Sequence, residues 1–239
     1  MEKLSKQDIL AIAQSTGDAS HCDLSGINLR GSELLGIKFD GSIFAGANLG
    51  SANMSGSSFN NCDLSGCNLS SSNFTGASFR AAKLEKSDLT FSAFVAADFS
   101  EADLRDVNFT NSKLSGAVFI RADLTAANLQ MSDSCMMQCR EAKMAGVHAH
   151  GTSMIGTDLS GCSLRGAKLY GTDLSNANLS SADLREADIL DATLIAADLT
   201  HADLRGVRLK RTDMTRAKLD GVKHDGELDE LLARYSKKG

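Results

Sequence analysis

The sequence contains no proline and no tryptophan, and only 2 of its 239 residues are tyrosine. An average chain of this length would have about 12 prolines, and this composition excludes a collagen-like chain. No apolar run approaches the ~18 residues that a membrane-spanning helix needs. The N-terminus has charges on both sides of a very short apolar stretch and lacks the pattern of a secretory signal. We therefore expect a cytoplasmic protein that has no contact with a membrane.

The chain also has no excess of basic residues. Its 25 Lys and Arg stand against 30 Asp and Glu, which gives a net charge of −5 at pH 7. A protein that binds nucleic acid by general electrostatic attraction would be basic, so we expect no direct binding of nucleic acid. The 6 cysteines follow no regular spacing, which favours reduced thiols over a disulfide framework.

What the sequence does contain is a repeat of five residues. Of the 40 positions taken every fifth residue from Leu24 to Leu219, 37 are Leu, Phe, Ile or Met, and the exceptions are Ser134, Cys139 and Ala149. We call this residue the centre of its unit. The residue two before the centre (the small position) is uncharged and mostly small, and the residue directly before it (the Asx position) is most often Asp or Asn. The residue directly after it is the outer position, and the next is the corner position, which holds 17 of the 21 glycines.

A period of five fits neither the 3.6 residues of an α-helical turn nor the alternation of an extended strand. A chain that buries one large and one small residue in every five must turn a corner in each unit, and stacked coils then supply the missing backbone hydrogen bonds. The sequence resembles the pentapeptide-repeat family, whose motif is A(D/N)LXX, over roughly residues 20–222. Clear copies are Ala102-Asp103-Leu104-Arg105, Ala182-Asp183-Leu184-Arg185, Ala197-Asp198-Leu199-Thr200 and Ala202-Asp203-Leu204-Arg205.

The resemblance implies an all-β solenoid, a right-handed quadrilateral parallel β-helix with one unit on each face and four units in each coil. About ten coils would lie between residues 21 and 220 and, at ~4.8 Å between neighbouring strands, form a rod roughly 48 Å long. We number the faces from the first, which starts at Cys22, to the fourth. The fourth-face centres predict a stack of phenylalanines, and the second-face Asx positions predict a ladder of asparagine amides: Phe39, Phe59, Phe79, Phe99 and Phe119, and Asn28, Asn48, Asn68, Asn108 and Asn128.

The two ends of an open β-helix need capping segments, because they would otherwise expose the core and the strand edges. Residues 1–20 predict an N-terminal capping helix, since Ser5 with Asp8 three residues later is typical of a helix start. The repeat domain spans residues 21–222. Residues 223–239 predict a second helix, which is either a simple cap or the contact of a homodimer, as in several pentapeptide-repeat relatives. Its apolar residues recur with helical spacing: Leu228, Leu231, Leu232 and Tyr235.

Between residues 131 and 150 the motif decays while its spacing is kept, which predicts a softened coil. This segment contains Cys135, Cys139, His148 and His150. In a four-sided register these side chains do not converge, and zinc needs ligands ~2.0–2.3 Å from one point, so we expect no metal site. The cysteines in small positions are expected to behave as small hydrophobes.

No catalytic constellation is present in the sequence. It has neither a glycine-rich phosphate loop nor a Gly-x-Ser-x-Gly turn. The repeat itself explains the many aspartates, and an interior filled with side chains offers no pocket for a small substrate. We therefore expect no enzymatic activity, no catalytic residues and no cofactor.

Large apolar residues in outward positions form the predicted partner-binding surface, since exposed apolar clusters commonly mark interfaces. Phe91 is the only phenylalanine outside the centres. The alternative is that these side chains fold over their own corners. The set lies on the second and third faces or their shared edge: Phe91, Val95, Met131, Met136, Ile155, Leu190 and Ile195.

The first face has a row of arginines, Arg165, Arg185 and Arg205, with Asp183 and Asp203 two residues before the last two. Rows of alternating charge are usually solvated and locally paired, and each such pair contributes little energy. A stripe that recognises a partner is the alternative interpretation.

These features favour a non-enzymatic bacterial scaffold that binds a protein partner through the outer faces of a rigid rod. The resemblance also implies an alternative, because some family members mimic DNA and bind DNA gyrase or topoisomerase IV, which are type II topoisomerases. A third role known in the family is that of a secreted effector of a bacterial pathogen.

Charge arithmetic bears on the mimicry of DNA. Duplex DNA has one negative charge per ~1.7 Å, so the rod would need about 30 net negative charges. Residues 21–220 contain 23 acids and 19 bases, a net charge of −4. The chain also lacks the register-breaking loops of the plasmid-borne resistance proteins. An acidic surface could still imitate a short stretch of DNA: Glu85, Asp88, Asp98, Glu101, Asp103 and Asp106.

Overall fold

The computed structural model describes residues 1–226, Asp229 and Tyr235. Its regular elements are short and lie near the N-terminus, whereas the remainder of the repeat region consists of single-residue bridges joined by turns. The elements are strand β1 (Glu2–Lys3), helix α1 (Lys6–Ala13) and strand β2 (Cys22–Asp23).

Each coil of the chain closes after 20 residues. Every fifth residue from Asp18 to Asp203 pairs in parallel with the residue 20 positions further on, and the last pair joins Asp203 to Lys223. Strand β1 enters the same ladder by pairing in parallel with β2. The bridges are separated by the corner positions, where the backbone has a positive φ, as at Gly26 (67°), and glycine is common there because it has no Cβ to clash. The chain is a parallel β-solenoid, as the repeat predicts.

The centres fill the interior of this solenoid. The predicted phenylalanine stack on the fourth face is present: the ring centroids of Phe79 and Phe99 lie 4.8 Å apart, and those of Phe39 and Phe59 lie 5.2 Å apart. All of these rings are fully buried. Their spacing equals the ~4.8 Å separation of neighbouring strands, so the ladder itself holds the rings in contact.

The irregular coil keeps both its register and its buried core. Cys139 and Ala149 are small centres, yet both are fully buried. Met137 and Val147 occupy the small positions two residues before them and are also buried. In these two units the large side chain occupies the small position instead of the centre, so a large apolar group still fills the core.

Cysteine and serine in the small positions also donate hydrogen bonds. The Cys62 thiol donates to the carbonyl oxygen of Phe39 (Sγ···O 2.9 Å), and the Ser72 hydroxyl donates to that of Leu49 (Oγ···O 2.8 Å). Burial raises the pKa of the Cys62 thiol to about 12, so the thiol keeps the proton that it donates. The expectation that these cysteines act only as small hydrophobes was therefore incomplete. All 6 cysteines are free.

The second-face asparagines bond within their own units. The Asn68 side-chain oxygen accepts from the backbone N–H of Ser70 at 2.9 Å and from the Ser70 hydroxyl at 2.7 Å. These bonds replace the predicted amide ladder. A chain of side-chain amides occurs on the third face, where Asn73 donates to Asn53 at 3.1 Å and Asn53 donates to Glu33 at 2.8 Å.

Helix α1 begins with a capping box. The Ser5 hydroxyl accepts from the Asp8 backbone N–H, and the Asp8 carboxylate accepts from the Ser5 N–H at 2.8 Å. From the same helix, Ile9 is fully buried in the hydrophobic cluster that contains the coil centres.

The predicted C-terminal helix falls mostly on residues that the structure does not describe, and Leu228, Leu231 and Leu232 are among them. Tyr235 is half-buried against the hydrophobic cluster. Its hydroxyl donates to the carbonyl oxygen of Thr212 at 3.4 Å.

Candidate protein-binding surface

The corner position directs the side chain of Phe91 out of the solenoid. Its backbone has a φ of 57°, in the left-handed region, and 65% of the residue is exposed to solvent. An aromatic ring in this environment buries little of its surface inside the chain and occupies a conformation that favours glycine.

The other predicted partner-binding residues divide into two groups. Met131, Met136 and Ile195 are exposed, whereas Val95, Ile155 and Leu190 are half-buried. Most of the set lies on one side of the rod, in the outer positions of the third face and at its two corners. We call the third face with its two corners the apolar face: it includes Phe91, Val95, Met131, Met136, Ile155 and Ile195, and excludes Leu190 of the second face.

Each methionine lies over the glycine that follows it by one coil. A Cβ placed on Gly151 would lie 2.9 Å from the Met131 sulfur, and one on Gly156 would lie 2.8 Å from the Met136 sulfur. Both methionines thus fold over their own corners, and more than half of each nevertheless remains exposed.

Phe91 forms part of the wall of a shallow groove of about 340 Å³ on the third face. Serine and asparagine side chains supply most of the remaining wall, and Lys113 lies at one end. The lining residues are Ser51, Ala52, Asn53, Ser71, Ser72, Asn73, Phe91, Ser92, Ala93, Asn111 and Lys113.

Among the described residues of the repeat units, two exposed apolar side chains were not predicted from the sequence. Leu35 and Tyr170 occupy outer positions of the third and second faces and are 55% and 47% exposed. The rule that selected Ile155 would have found both of them. The Tyr170 ring also contacts His150, with centroids 5.9 Å apart.

The predicted acidic surface is largely neutralised by arginine and lysine. Glu85 pairs with Lys86 and with Arg105 (2.8 and 3.1 Å), and Asp103 also pairs with Arg105 (2.6 Å). Asp98 and Glu101 pair with arginines as well. The remaining two acids are Asp88, which accepts from the backbone N–H of Thr90, and Asp106.

The Arg105 guanidinium donates to Asp103 and, by favouring the ionised carboxylate, lowers its pKa. In the same way, the hydrogen bond from Arg121 lowers the pKa of Glu101. These contacts fix the acids in the ionised state but cancel much of the charge that a basic partner would meet.

The first-face arginines are paired within the chain. Arg185 contacts Asp183 at 2.7 Å and lies 3.9 Å from Asp203, and Arg205 contacts Asp203 at 2.5 Å. The hydrogen bond from Arg205 lowers the pKa of Asp203 to about 2. This arrangement is the solvated, locally paired row of the first interpretation.

The irregular coil does not gather its cysteines and histidines around one point. Cys139 is fully buried, and the Cys135 sulfur lies 3.1 Å from the Ser153 hydroxyl. The rings of His148 and His150 have centroids 6.4 Å apart. Among the described residues, no three His, Cys, Asp or Glu side chains are placed to hold a metal ion. No helix in the described part of the chain is long and apolar enough to cross a membrane.

Comparison with known sequences identifies the family. The sequence profile described as Pentapeptide repeats (8 copies) matches residues 22–61, 62–101, 102–133, 138–171, 162–198 and 190–223. These matches cover most of the chain, which therefore belongs to the pentapeptide-repeat family. No curated protein sequence matches it significantly.

Two solved structures are similar over almost the whole chain. HetL, a pentapeptide repeat protein involved in heterocyst differentiation regulation in the cyanobacterium Nostoc sp. strain PCC 7120, is 26% identical, with a TM-score of 0.55. That match covers 92% of this chain and 96% of HetL. Trypsin-treated QnrB1, a plasmid-mediated fluoroquinolone resistance protein, is 21% identical with a TM-score of 0.56, covering 92% of this chain and 97% of QnrB1. The likeness to QnrB1 is one of fold.

Proposed function

We propose that this protein is a non-enzymatic scaffold that binds a protein partner through the outer surface of its solenoid. The observation that carries the proposal is the contrast between a filled interior and the apolar face. The centres occupy the interior, whereas Phe91, Met131 and Met136 are each at least 64% exposed. Aromatic residues and methionine are enriched at protein interfaces, and desolvating them on binding is favourable.

The test compares matched variants of the purified, immobilised protein. Ile155→Asp places a charge on the apolar face, and Ile120→Asp places one on the fourth face, where Ile120 is also a half-buried outer-position residue. Proteins from the source organism that bind the wild type and the Ile120 variant, but not the Ile155 or Phe91→Asp variants, would identify the partner. If all four forms capture the same proteins, the apolar face is not the binding surface.

A second candidate is a DNA-mimicking protein that binds DNA gyrase or topoisomerase IV and modulates or protects it. This candidate is supported by the fold that the chain shares with QnrB1, which is described as a plasmid-mediated fluoroquinolone resistance protein. The ion pairs across the acidic surface weigh against it. In a gyrase supercoiling assay with and without a fluoroquinolone, inhibition or protection at micromolar protein would favour this candidate, and no effect would leave the scaffold.

We also propose a cytoplasmic location and three segments: an N-terminal capping helix (residues 1–20), the repeat domain (21–222) and a C-terminal helix (223–239). The C-terminal segment is proposed as a cap or as a homodimer contact. Light scattering of a chain that lacks residues 226–239 distinguishes the two roles, because removing a dimer contact halves the mass of the particle.

A further inference from the structure

The charges of the rod are distributed unevenly over its four faces. Within residues 48–187, all of which the structure describes, the salt bridges lie on the first and fourth faces and their corners. On the third face, the Asx residues of four successive coils are Ala93, Lys113, Asp133 and Ser153. Lys113 and Asp133 are therefore the charged third-face Asx residues of these four coils, on neighbouring coils and of opposite sign.

Protrusions and depressions alternate along the corners of the same four coils. Phe91 and Met136 project from the two corners, with 65% and 64% of each residue exposed. Gly151 and Gly116 lie on the same two corners. A Cβ on Gly116 would meet no atom within 4 Å, and one on Gly151 would meet only the Met131 sulfur.

A two-fold axis parallel to the strands, placed between the coils of Lys113 and Asp133, relates these features to one another. It brings each Lys113 opposite Asp133 of a second copy, and each Val95 opposite Ile155. It also brings Met136 opposite the open corner at Gly116. On the other corner, Phe91 meets Gly151 and the methionine sulfur that lies over it, a contact that aromatic rings favour.

We propose that the apolar face pairs with the apolar face of a second copy of this chain, antiparallel and around this two-fold axis. The inference rests on the proposed function, because it names the partner of the same surface. An isologous contact of this kind must be self-complementary, and in the four central coils charge opposes charge, side chain opposes glycine, and apolar residue opposes apolar residue.

The available area suits a reversible dimer. The eight coils whose third-face Asx residues run from Asn53 to Thr193 lie symmetrically about the axis. At about 4.8 Å per coil and a face about 12 Å wide, they project on the order of 450 Å² per copy. Side-chain relief raises the accessible area, so two faces bury about 1,000 Å², near the lower limit of a specific interface. We expect dissociation in the micromolar range and a concentration-dependent mass.

The decisive experiment reverses one charge at a time. In Lys113→Asp, the introduced aspartate of each copy faces Asp133 of the other, and in Asp133→Lys the introduced lysine of each copy faces Lys113 of the other. Each variant alone should dimerise at least about tenfold more weakly than the wild type. An equimolar mixture of the two variants should dimerise again, because each lysine then faces an aspartate across the axis. Sedimentation velocity from about 1 to about 200 µM measures all four samples.

The mixture separates the proposal from an effect on folding. Neither chain in the mixture regains its own Lys113 and Asp133 pair, so restored dimers require contacts between copies. Lysine and aspartate are both accepted in Asx positions, as at Lys83 and Asp103, and the variants should keep the fold. Lys83→Asp makes the same charge change on the opposite, first face and should leave the dimer unchanged.

Two glycine-to-arginine variants test the proposed contact independently of charge. Gly116→Arg fills the depression opposite Met136, and arginine is accepted at a corner with positive φ, as at Arg121. Gly66→Arg makes the same change at an open corner of the first face. Loss of dimers in the Gly116 variant alone would support the proposal.

Three results would overturn it: a wild type that is monomeric throughout the concentration range, single variants that dimerise normally, or a mixture that stays monomeric. Normal dimers of the single variants would place the contact elsewhere, as in residues 223–239. In each case the capture experiment with Ile155→Asp and Ile120→Asp still tests binding of a different protein, so the two proposals fail separately.

Discussion

Asp and Asn dominate the Asx position because their short side chains reach the backbone of the same unit. The Asp203 carboxylate accepts from the Arg205 backbone N–H at 3.3 Å, and Asn68 makes the equivalent bond to Ser70 at 2.9 Å. Such bonds satisfy an N–H at the turn, which otherwise depends on water. Local structure thus explains why aspartate is so common in this chain.

Asp203 gives a prediction at this scale. Its pKa is lowered to about 2 by the hydrogen bond from Arg205, so the ionised form stabilises the fold above about pH 4 and this contribution is lost as the pH falls toward 2. Asp203→Asn keeps the acceptor but loses the charge. We expect it to cost about 1 kcal/mol or less at neutral pH, as for a surface pair. Thermal unfolding at pH 7, 4 and 2 measures the difference from the wild type.

The two proteins should differ most at pH 7 and converge at pH 2. Asp203→Ala also removes the acceptor and should unfold at a lower temperature than Asp203→Asn at every pH. A difference between wild type and Asp203→Asn that does not change with pH would contradict the assignment.

The repeat predicts whether each side chain points into or out of the solenoid, but it does not predict the partners of its hydrogen bonds and ion pairs. The spacing places Cys62 inside and Glu85 outside, and both expectations agree with the structure. The bond from the Cys62 thiol to the Phe39 carbonyl depends on the offset between coils, and the pairing of Glu85 with Arg105 depends on rotamers of long side chains. Neither quantity follows from a period of five.

At the scale of the element, the phenylalanine stack is the most regular part of the core. Phe79 lies between Phe59 and Phe99, with centroid distances of 4.9 and 4.8 Å and nearly parallel rings. Parallel rings one strand spacing apart are held there by the ladder and gain contacts on both sides.

Phe79→Ala should therefore cost about 3–5 kcal/mol, since it opens a cavity between two rings that the ladder holds apart. Phe91→Ala removes the same atoms from a side chain that is 65% exposed and should cost far less. Urea denaturation of both variants measures the contrast. A large loss of stability in the Phe91 variant would show that this ring packs against the core.

The packing of the irregular coil was only partly predicted from the sequence, because the prediction considered the centres alone. Weak centres at Ser134, Cys139 and Ala149 predicted a softened coil. Met137 and Val147 place large side chains beside the last two, whereas Ser134 has only Ser132 in its small position. The signal was present in the sequence, because large residues in small positions are uncommon in this chain. A search of the small positions alongside the centres would have found it.

At the scale of the whole molecule, each coil contacts only its neighbours, so stability is close to a sum of local terms and the ends are the weakest parts. Ile9 of helix α1 is fully buried in the hydrophobic cluster that contains the coil centres, whereas the adjacent Leu10 is 36% exposed. If helix α1 is the cap of this end, we expect the first coil to depend on Ile9, because its other side already bonds to the next coil, as from the Leu24 N–H to the Ile43 carbonyl.

This arrangement predicts local rather than global damage from Ile9→Ala. The substitution should remove about 2–5 kcal/mol from the end of the rod. Amide hydrogen exchange should then accelerate at Leu24 and Leu29, whose N–H groups bond to the second coil, and stay unchanged at Leu184 in the distant coils. Leu10→Ala, one residue along the same helix, is the control and should leave the exchange of all three amides close to that of the wild type. Faster exchange at Leu184 would mean that the solenoid unfolds as one cooperative unit, and unchanged exchange at Leu24 would mean that helix α1 is not its cap.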